Sequence, residues 1–319
     1  MIAASAFPDL SVVVLVPDRF ATVAGVVSHV AMQDVCARIE VVFVGPIDFT
    51  VPGDAVSGFE GWQIVRVERW QSTAEARAAG IRHARAPIVA FVEDHCFPAP
   101  GWARALIDAH EQDWAGVGPV ILNANPSSTL SWANLLIEYG PWVHSRDAGV
   151  VPHIPGHNSS YKRERLLSYG DHLATVLEAE SVLHWDLRRQ GYLVALEPLA
   201  RSRHQNFTRV LPSLRLRFHS GRLFAANRSR QWPAPRRFLY AVGSPVLPML
   251  RTWRLRADAR RIGGRPRPWI VPMAFMLLVV DALGEAVGYA FGTGSALAVL
   301  ADLEFHRERF MAPGEAGTS

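Results

Sequence analysis

Three side chains able to bind a metal ion or a proton stand together where a short apolar segment ends. Ile88 to Val92 is a run of apolar residues, and Glu93, Asp94 and His95 follow it directly. Such a run predicts a strand buried on both faces, and open α/β sheets bind ligands outside the carboxyl ends of their strands. Carboxylates there can hold Mg²⁺ or Mn²⁺ against a diphosphate, and an imidazole suits Mn²⁺ better. The alternative is a polar strand end whose carboxylate caps a helix.

The elements that must position these residues are predicted by hydrophobic periodicity. Short apolar runs alternate with longer periodic stretches from Ser11 to about Leu196, which indicates an α/β fold with a mostly parallel sheet flanked by helices. Ser72 to Glu75 reads as a capping box that opens a helix. Strands are predicted over 12–16, 40–44, 63–67, 88–92, 117–122 and 158–161, and helices over 23–33, 76–83 and 130–138.

Length and composition exclude several classes of protein. The 319 residues are 49% hydrophobic and 19% charged, which fits about two folded domains and excludes a disordered chain. Basic residues exceed acidic ones by only 33 to 29, so we expect no general nucleic-acid binding. Two cysteines cannot form a disulfide framework, and the first residues lack a charged leader, so we expect a chain that begins in the cytoplasm.

Five motifs in order make the chain resemble the family 2 glycosyltransferases, inverting enzymes with the A-type nucleotide-diphospho-sugar fold. The resemblance covers roughly Ser11 to His204. The motifs are the turn Pro17-Asp18 after the first strand, the helix Ala76 to Gly80, the acidic triplet Glu93 to His95, the segment Gly156 to Arg163, and Ala179-Glu180 before Gly191-Tyr192.

The resemblance implies a reaction and a set of site residues. A sugar would pass from a nucleotide-diphosphate donor to an acceptor hydroxyl with inversion, assisted by Mn²⁺ or Mg²⁺. Donor contacts fall on Pro17, Asp18, Arg77, Glu93 and Asp94; metal ligands on Asp94, His95 and His204; acceptor contacts on His157, Asn158 and Trp185; and the general base on Glu180. On the sequence alone, Trp185 could equally be a packing residue, His204 a surface histidine, and Glu180 an acid that complements a helix dipole.

A second glutamate, Glu178, competes for the role of the base. Thr175 to Glu178 fits a capping box, which would give Glu178 a structural role and leave Glu180 as the base.

Two departures from the family pattern affect ligand binding. The family's Asp-Asp-Gly-Ser, whose second aspartate contacts the nucleotide base, is replaced by Gly45 to Asp48. Asp48 could substitute for that aspartate from two residues later, but a solvated loop residue is the simpler interpretation. His95 replaces an acid, which predicts weaker metal binding or a softer ion.

The composition changes after residue 222, so we predict a catalytic domain over 1–222 and a helical region over 223–319. Seven arginines lie between Arg251 and Arg267, and Trp269 to Phe291 is long enough to cross a bilayer. Asp281 and Glu285 make a crossing costly, so we expect an interfacial or re-entrant helix whose acids face protein or water. Burial against the catalytic domain is the alternative.

These features predict an enzyme at the cytoplasmic face of the cell membrane, acting on a lipid-linked acceptor or a cell-envelope glycan. Two other functions stay open. A sugar-phosphate nucleotidyltransferase would need a glycine-rich basic loop, which Val16 to Phe20 is not. A degraded transferase that serves as a membrane scaffold is consistent with the altered acidic triplet.

Overall fold

The computed structural model describes residues 7–68, 72–143, 147–262 and 268–311. The chain divides into two compact units, the first containing residues 1–122 and 145–203 and the second residues 123–144 and 204–318.

The strands of the described residues are β1 (Leu10–Leu15), β2 (Ile39–Gly45), β3 (Gly61–Arg66), β4 (Ile88–Val92), β5 (Cys96–Pro98), β6 (Trp114–Asn123), β7 (Gly149–Val151), β8 (Ser160–Lys162) and β9 (Leu193–His204). The helices are α1 (Phe20–Ala31), α2 (Thr73–His83), α3 (Trp102–Ala109), α4 (Thr129–Tyr139), α5 (Arg163–Leu167), α6 (Leu173–Leu177), α7 (Glu180–Arg189), α8 (Val210–Arg228), α9 (Ala234–Gly243), α10 (Leu247–Arg261), α11 (Ile270–Phe291) and α12 (Ala296–Phe305). Each strand and helix predicted from periodicity has a counterpart here. The domain boundary predicted at residue 222 falls inside α8.

The strands form one mixed sheet in the order β3-β2-β1-β4-β8-β6-β9-β5, with β7 on β9. The β3-β2-β1-β4 part is parallel, whereas β8 runs antiparallel to both β4 and β6. The α/β expectation is therefore confirmed, but the sheet is mixed where a mostly parallel one was expected. The short β8 enters between β4 and β6 and reverses direction there, which hydrophobic periodicity does not reveal.

Helices cover both faces of this sheet, which explains why its strands are apolar on both sides. Val12 and Val14 of β1 belong to a core cluster that includes residues of α1 and α3, whereas Val13 packs in a second cluster with residues of α2 and α7. Ser72 caps α2, because its Oγ accepts a hydrogen bond of 3.1 Å from the backbone N–H of Glu75. The predicted capping box is confirmed at its first position.

In the second unit, α8 and α11 pack at glycine contacts. A Cβ atom on Gly284 would overlap the carbonyl oxygen of Phe218, and one on Gly288 would overlap that of Arg222. The backbones therefore approach too closely for any side chain at these positions.

The acids of α11 face the protein. Arg251 of α10 lies 2.5 Å from Asp281 Oδ2 and also forms an ion pair with Glu285. By length and composition, α11 is the one helix of the described residues that could cross a membrane, and 44% of its most apolar window is buried.

Candidate active site

The parallel half of the sheet reverses its strand order between β1 and β4, which places a crevice at the carboxyl ends of these neighbours. β1 leads into Pro17 and Asp18, and β4 leads into Glu93, Asp94 and His95. Two of the predicted motifs are thus brought to one edge of the sheet by strand pairing.

Glu93 is held in place from two directions by Asn158. The side-chain amide Nδ2 of Asn158 donates to Glu93 Oε2 at 2.6 Å, and the backbone N–H of Glu93 donates to Asn158 Oδ1 at 3.2 Å. Asn158 is buried, so this pairing satisfies both ends of its amide inside the protein. Asn158, predicted on the acceptor side, thus positions the acidic triplet.

Asp94 and His95 form a pair of their own at the end of β4. His95 Nδ1 lies 2.6 Å from Asp94 Oδ1, and its Nε2 lies 3.7 Å from Glu93 Oε2. Glu93 and His95 each offer a ligand atom suited to a divalent ion such as Mn²⁺. His204, the third predicted residue of a metal-binding type, is buried at the end of β9 and its Nδ1 lies 2.9 Å from Asn206 Oδ1. Its role as a ligand stays a prediction.

Glu180 lies in the first turn of α7 and packs directly on Gly156. A Cβ atom on Gly156 would lie 3.0 Å from Glu180 Cδ and would overlap its Cβ and Cγ. The Arg77 guanidinium reaches Glu180 Oε1 at 3.4 Å. This places the predicted base against both the Gly156 turn and the α2 motif.

His157 connects the predicted base with the acidic triplet. Its Nδ1 lies 3.0 Å from Glu93 Oε1, and its Nε2 contacts Glu180 Oε1. Its side chain is 36% exposed, so solvent reaches this bridge. The structure therefore brings Arg77, Glu93, His157 and Glu180 into one connected group.

The capping box predicted at Thr175 is wrong. Thr175 lies inside α6, Glu178 follows the last residue of that helix, and Ala179 is the N-cap of α7. The sequence contains two short helices where one capped start was expected, because α6 continues through Leu177 before the chain turns into α7. Glu178 is thus the C-cap residue of α6 and not part of a capping box that opens a helix.

Some predicted polar residues are used in local structure. Asp18 Oδ1 accepts hydrogen bonds from the Arg19 backbone N–H at 2.6 Å and from Thr22 Oγ1 at 2.7 Å, which supports the start of α1. Asp48 is exposed, in keeping with a solvated loop residue. Arg163, the last residue of the Gly156 to Arg163 motif, donates to the carbonyl of Ile81 near the end of α2.

Trp185 stands over a histidine pair that the sequence analysis did not identify. The Trp185 indole N–H donates to His153 Nε2 at 3.2 Å, and the side chain is 37% exposed. The His153 ring lies 5.6 Å from that of His184, whose Nε2 lies 2.8 Å from the Tyr161 hydroxyl. Burial, together with His153, lowers the pKa of His184 to about 3, and burial raises the pKa of Tyr161. The adjacent His184 and Trp185 on a helix were the only sequence signal for this group.

Residues 52–169 match the family model described as Glycosyl transferase family 2. No curated protein matches the chain.

Several solved structures are similar to the chain at low identity. GalNAc-T7, solved with UDP, GalNAc and Mn²⁺, is 15% identical with a TM-score of 0.45 over 63% of this chain, which spans 44% of that protein. The mannosyltransferase PcManGT from Pyrobaculum calidifontis, in complex with GDP-Man and Mn²⁺, is 17% identical with a TM-score of 0.44, covering 98% of this chain and 83% of that one. A mycobacterial protein is 17% identical with a TM-score of 0.42, covering 66% and 70%.

The family match covers most of the site. Residues 52–169 include Arg77, the acidic triplet at the end of β4 and the turn with His157 and Asn158, whereas Glu180 lies beyond them. The match and the mixed α/β sheet confirm the predicted A-type fold. Residues 52–169 are therefore similar to a family 2 glycosyltransferase domain.

Proposed function

We propose that this protein transfers a sugar from a nucleotide-diphosphate donor to an acceptor hydroxyl, with inversion and with the help of a divalent metal ion. The observation that carries the proposal is the connected group at the β1/β4 switch point, where His157 links Glu93 to Glu180. Such a site offers both a place for a charged diphosphate and a carboxylate base within one group. The Mn²⁺ of the two similar transferases supports the metal part of the proposal.

The donor set fits a divalent cation. Two carboxylates and an imidazole stand at the end of β4, and Glu93 is ordered by Asn158 so that little side-chain freedom is left to lose. Asp94 and His95 are the proposed ligands, and His204 keeps its predicted place as a further one. A bound ion would neutralise charge on the departing diphosphate. The imidazole favours Mn²⁺ over Mg²⁺.

Glu180 is proposed as the general base. An inverting transfer needs a carboxylate that accepts the proton of the acceptor hydroxyl while the diphosphate leaves from the opposite face of the sugar. Glu180 stands 3.4 Å from the guanidinium of Arg77 and is 22% exposed, so it is ordered yet open to an acceptor. His157 Nε2 occupies a contact with the same carboxylate, and an incoming hydroxyl would take that place.

The acceptor is proposed to be a lipid-linked or cell-envelope glycan, met at the cytoplasmic face of a membrane. Trp185 supports a sugar acceptor, because an exposed indole held by His153 offers a flat stacking surface in the middle of α7. The apolar helix α11 and the arginines of α10 support the membrane. Arg265 and Arg267 of the predicted arginine cluster lie outside the described residues.

A scaffold without turnover is the second candidate. One observation that favours it is the contact of His157 with Glu180, which occupies the carboxylate of the proposed general base. Another is the exposed Asp48, which lies where the family has an aspartate that contacts the nucleotide base. A test is to incubate the full chain with a panel of nucleotide-diphosphate sugars and Mn²⁺, and to measure release of the nucleoside diphosphate. We expect release for one donor, loss of release in Asp94→Asn and Glu180→Gln, and a product of inverted anomeric configuration by NMR. Binding of a donor without release by the wild-type chain would favour the scaffold.

A further inference from the structure

Helices α9 and α10 and the short 3₁₀ turn between them present a row of large apolar side chains to solvent. These side chains are between 42% and 71% exposed, and they are Phe238, Leu239, Val242, Val246, Met249, Leu250 and Trp253. Isolated exposed apolar residues are ordinary, but a contiguous group of large ones marks an interaction surface. We call these seven residues the α9–α10 surface.

The orientation of α9 is fixed by its other side. Arg237 Nε donates to the Tyr289 carbonyl of α11 at 2.8 Å, and the Tyr240 ring lies 5.5 Å from the Tyr289 ring. Residues three apart lie on one face of a helix, so Arg237 and Tyr240 together turn one face of α9 towards α11. Phe238 and Val242, four apart, share a different face, and no residue of α9 is buried. α9 therefore leaves its most apolar face unused within the second unit.

Helix α10 is oriented in the same manner. Arg251 pairs with Asp281 and Glu285 of α11, and Thr252 and Leu255 are buried. Met249 and Trp253, four apart, stand on the exposed side. α10 therefore turns the paired Arg251 and the buried Thr252 and Leu255 inward and leaves the large apolar side chains of Met249 and Trp253 exposed.

The charge around this surface has one sign. Residues 198 to 257 contain no aspartate or glutamate, and residues 204 to 257 contain eleven arginines. Arg230, Arg236, Arg254 and Arg256 are exposed. A protein partner with an apolar patch needs no such excess of positive charge, whereas an anionic leaflet attracts basic side chains by about 1 kcal/mol each.

We propose that the α9–α10 surface binds the surface of an anionic lipid bilayer, with its apolar side chains in the interfacial layer and the exposed arginines at the headgroups. The proposal rests on the membrane association of the proposed function and assigns it to a particular surface. α11 has one face packed within the second unit by the glycine contacts with α8 and the ion pairs to Arg251, and its exposed residues Val279 and Leu283 serve as the comparison in the test. A tryptophan at such a surface suits the interface, where its ring is apolar and its N–H reaches water.

The test measures co-sedimentation of the full chain with vesicles of phosphatidylcholine alone or mixed equally with phosphatidylglycerol. The surface variant is Phe238→Ser with Trp253→Ser, and the charge variant is Arg254→Gln with Arg256→Gln. The matched control is Val279→Ser with Leu283→Ser, two exposed apolar residues of α11. Removing two large side chains should lower the partition coefficient about 100-fold. Removing two arginines should lower it by roughly tenfold or more, on anionic vesicles only.

Each outcome decides the proposal. Release of the surface variant, with the control bound as the wild type, supports it. Equal binding of the surface variant and wild type, or release of the α11 control alone, overturns it. The proposal is also overturned if the wild-type chain does not bind vesicles and sediments as a dimer while the surface variant is a monomer. The α9–α10 surface would then be a contact between copies of the chain. Donor turnover measured without lipid for all variants separates this proposal from the proposed reaction, because the surface variant should keep that activity.

Discussion

Placing a methyl group on Gly156 is expected to lower the proposed transferase activity by moving Glu180. Its Cβ atom would lie 3.0 Å from Glu180 Cδ and would overlap the two preceding carbons. Carbon atoms in contact sit about 3.5–4.0 Å apart, so the glutamate side chain must withdraw by about 1 Å or more. A displacement of that size in a positioned catalytic group can cost about 100-fold in rate. Gly156→Ala should therefore lower kcat about 100-fold.

The assay compares initial rates of sugar transfer at saturating donor and acceptor. Gly53→Ala is the matched control, because a Cβ atom there would meet nothing within 4 Å and its backbone is ordinary. If Glu180 carries the whole effect, Gly156→Ala and Glu180→Gln should not add in the double variant. Thermal melts should show that Gly156→Ala stays folded at the assay temperature.

Full activity of Gly156→Ala would refute the reasoning, because the side chain of Glu180 cannot keep its place beside a methyl group. An additive double variant would mean that Gly156 acts through a group other than Glu180. An inactive Glu178→Gln together with an active Glu180→Gln would show that Glu178, and not Glu180, is the general base.

Three further predictions concern stability. Glu40→Gln should lower the free energy of unfolding by about 2 kcal/mol in chemical denaturation at neutral pH, because a buried carboxylate loses charge-assisted hydrogen bonds. Burial alone would raise the pKa of Glu40, but hydrogen bonds outweigh burial and lower that pKa. The stability that the Glu40 carboxylate contributes is therefore present above its ordinary pKa of 4.5 and is lost as pH falls below it. In Glu40→Gln the free energy of unfolding should fall less steeply in acid. Burial lowers the pKa of His184 to about 3, so the unfolded chain binds more protons than the folded chain between pH 3 and 6.5. Stability is therefore lost as pH falls through that window, and the Tm of His184→Gln should depend less steeply on pH. Gly284→Ala should lower Tm by several degrees in scanning fluorimetry, because its Cβ atom would overlap the Phe218 carbonyl oxygen. The control Gly243→Ala, whose Cβ atom would have open space around it, should leave Tm unchanged. Equal Tm values for the two variants would refute the close packing of α8 on α11.

Much of the first unit could be predicted from the sequence, because its signals are local. The buried strand at Ile88 to Val92 has the bounds that its apolar run indicated, and Ser72 caps the helix that its spacing predicted. A strand buried on both faces and a cap both leave their pattern within a few residues.

The contacts that complete the site could not be predicted, because they join residues far apart in the chain. Nothing local shows that Asn158 holds Glu93 or that Gly156 makes room for Glu180. The antiparallel entry of β8 beside β4 creates both contacts, and a three-residue strand has no periodicity to read. The error at Thr175 has a similar origin, since two short helices imitate one capped start.

The central claim is that the carboxyl end of β4 holds a metal ion against a nucleotide diphosphate. Isothermal titration of the full chain with UDP and GDP, each with Mn²⁺ or with excess chelator, tests it most directly. We expect one nucleotide to bind only with Mn²⁺, to lose that binding in Asp94→Asn, and to keep it in Glu180→Gln. Equal affinity in chelator, or unchanged binding by Asp94→Asn, would contradict the account.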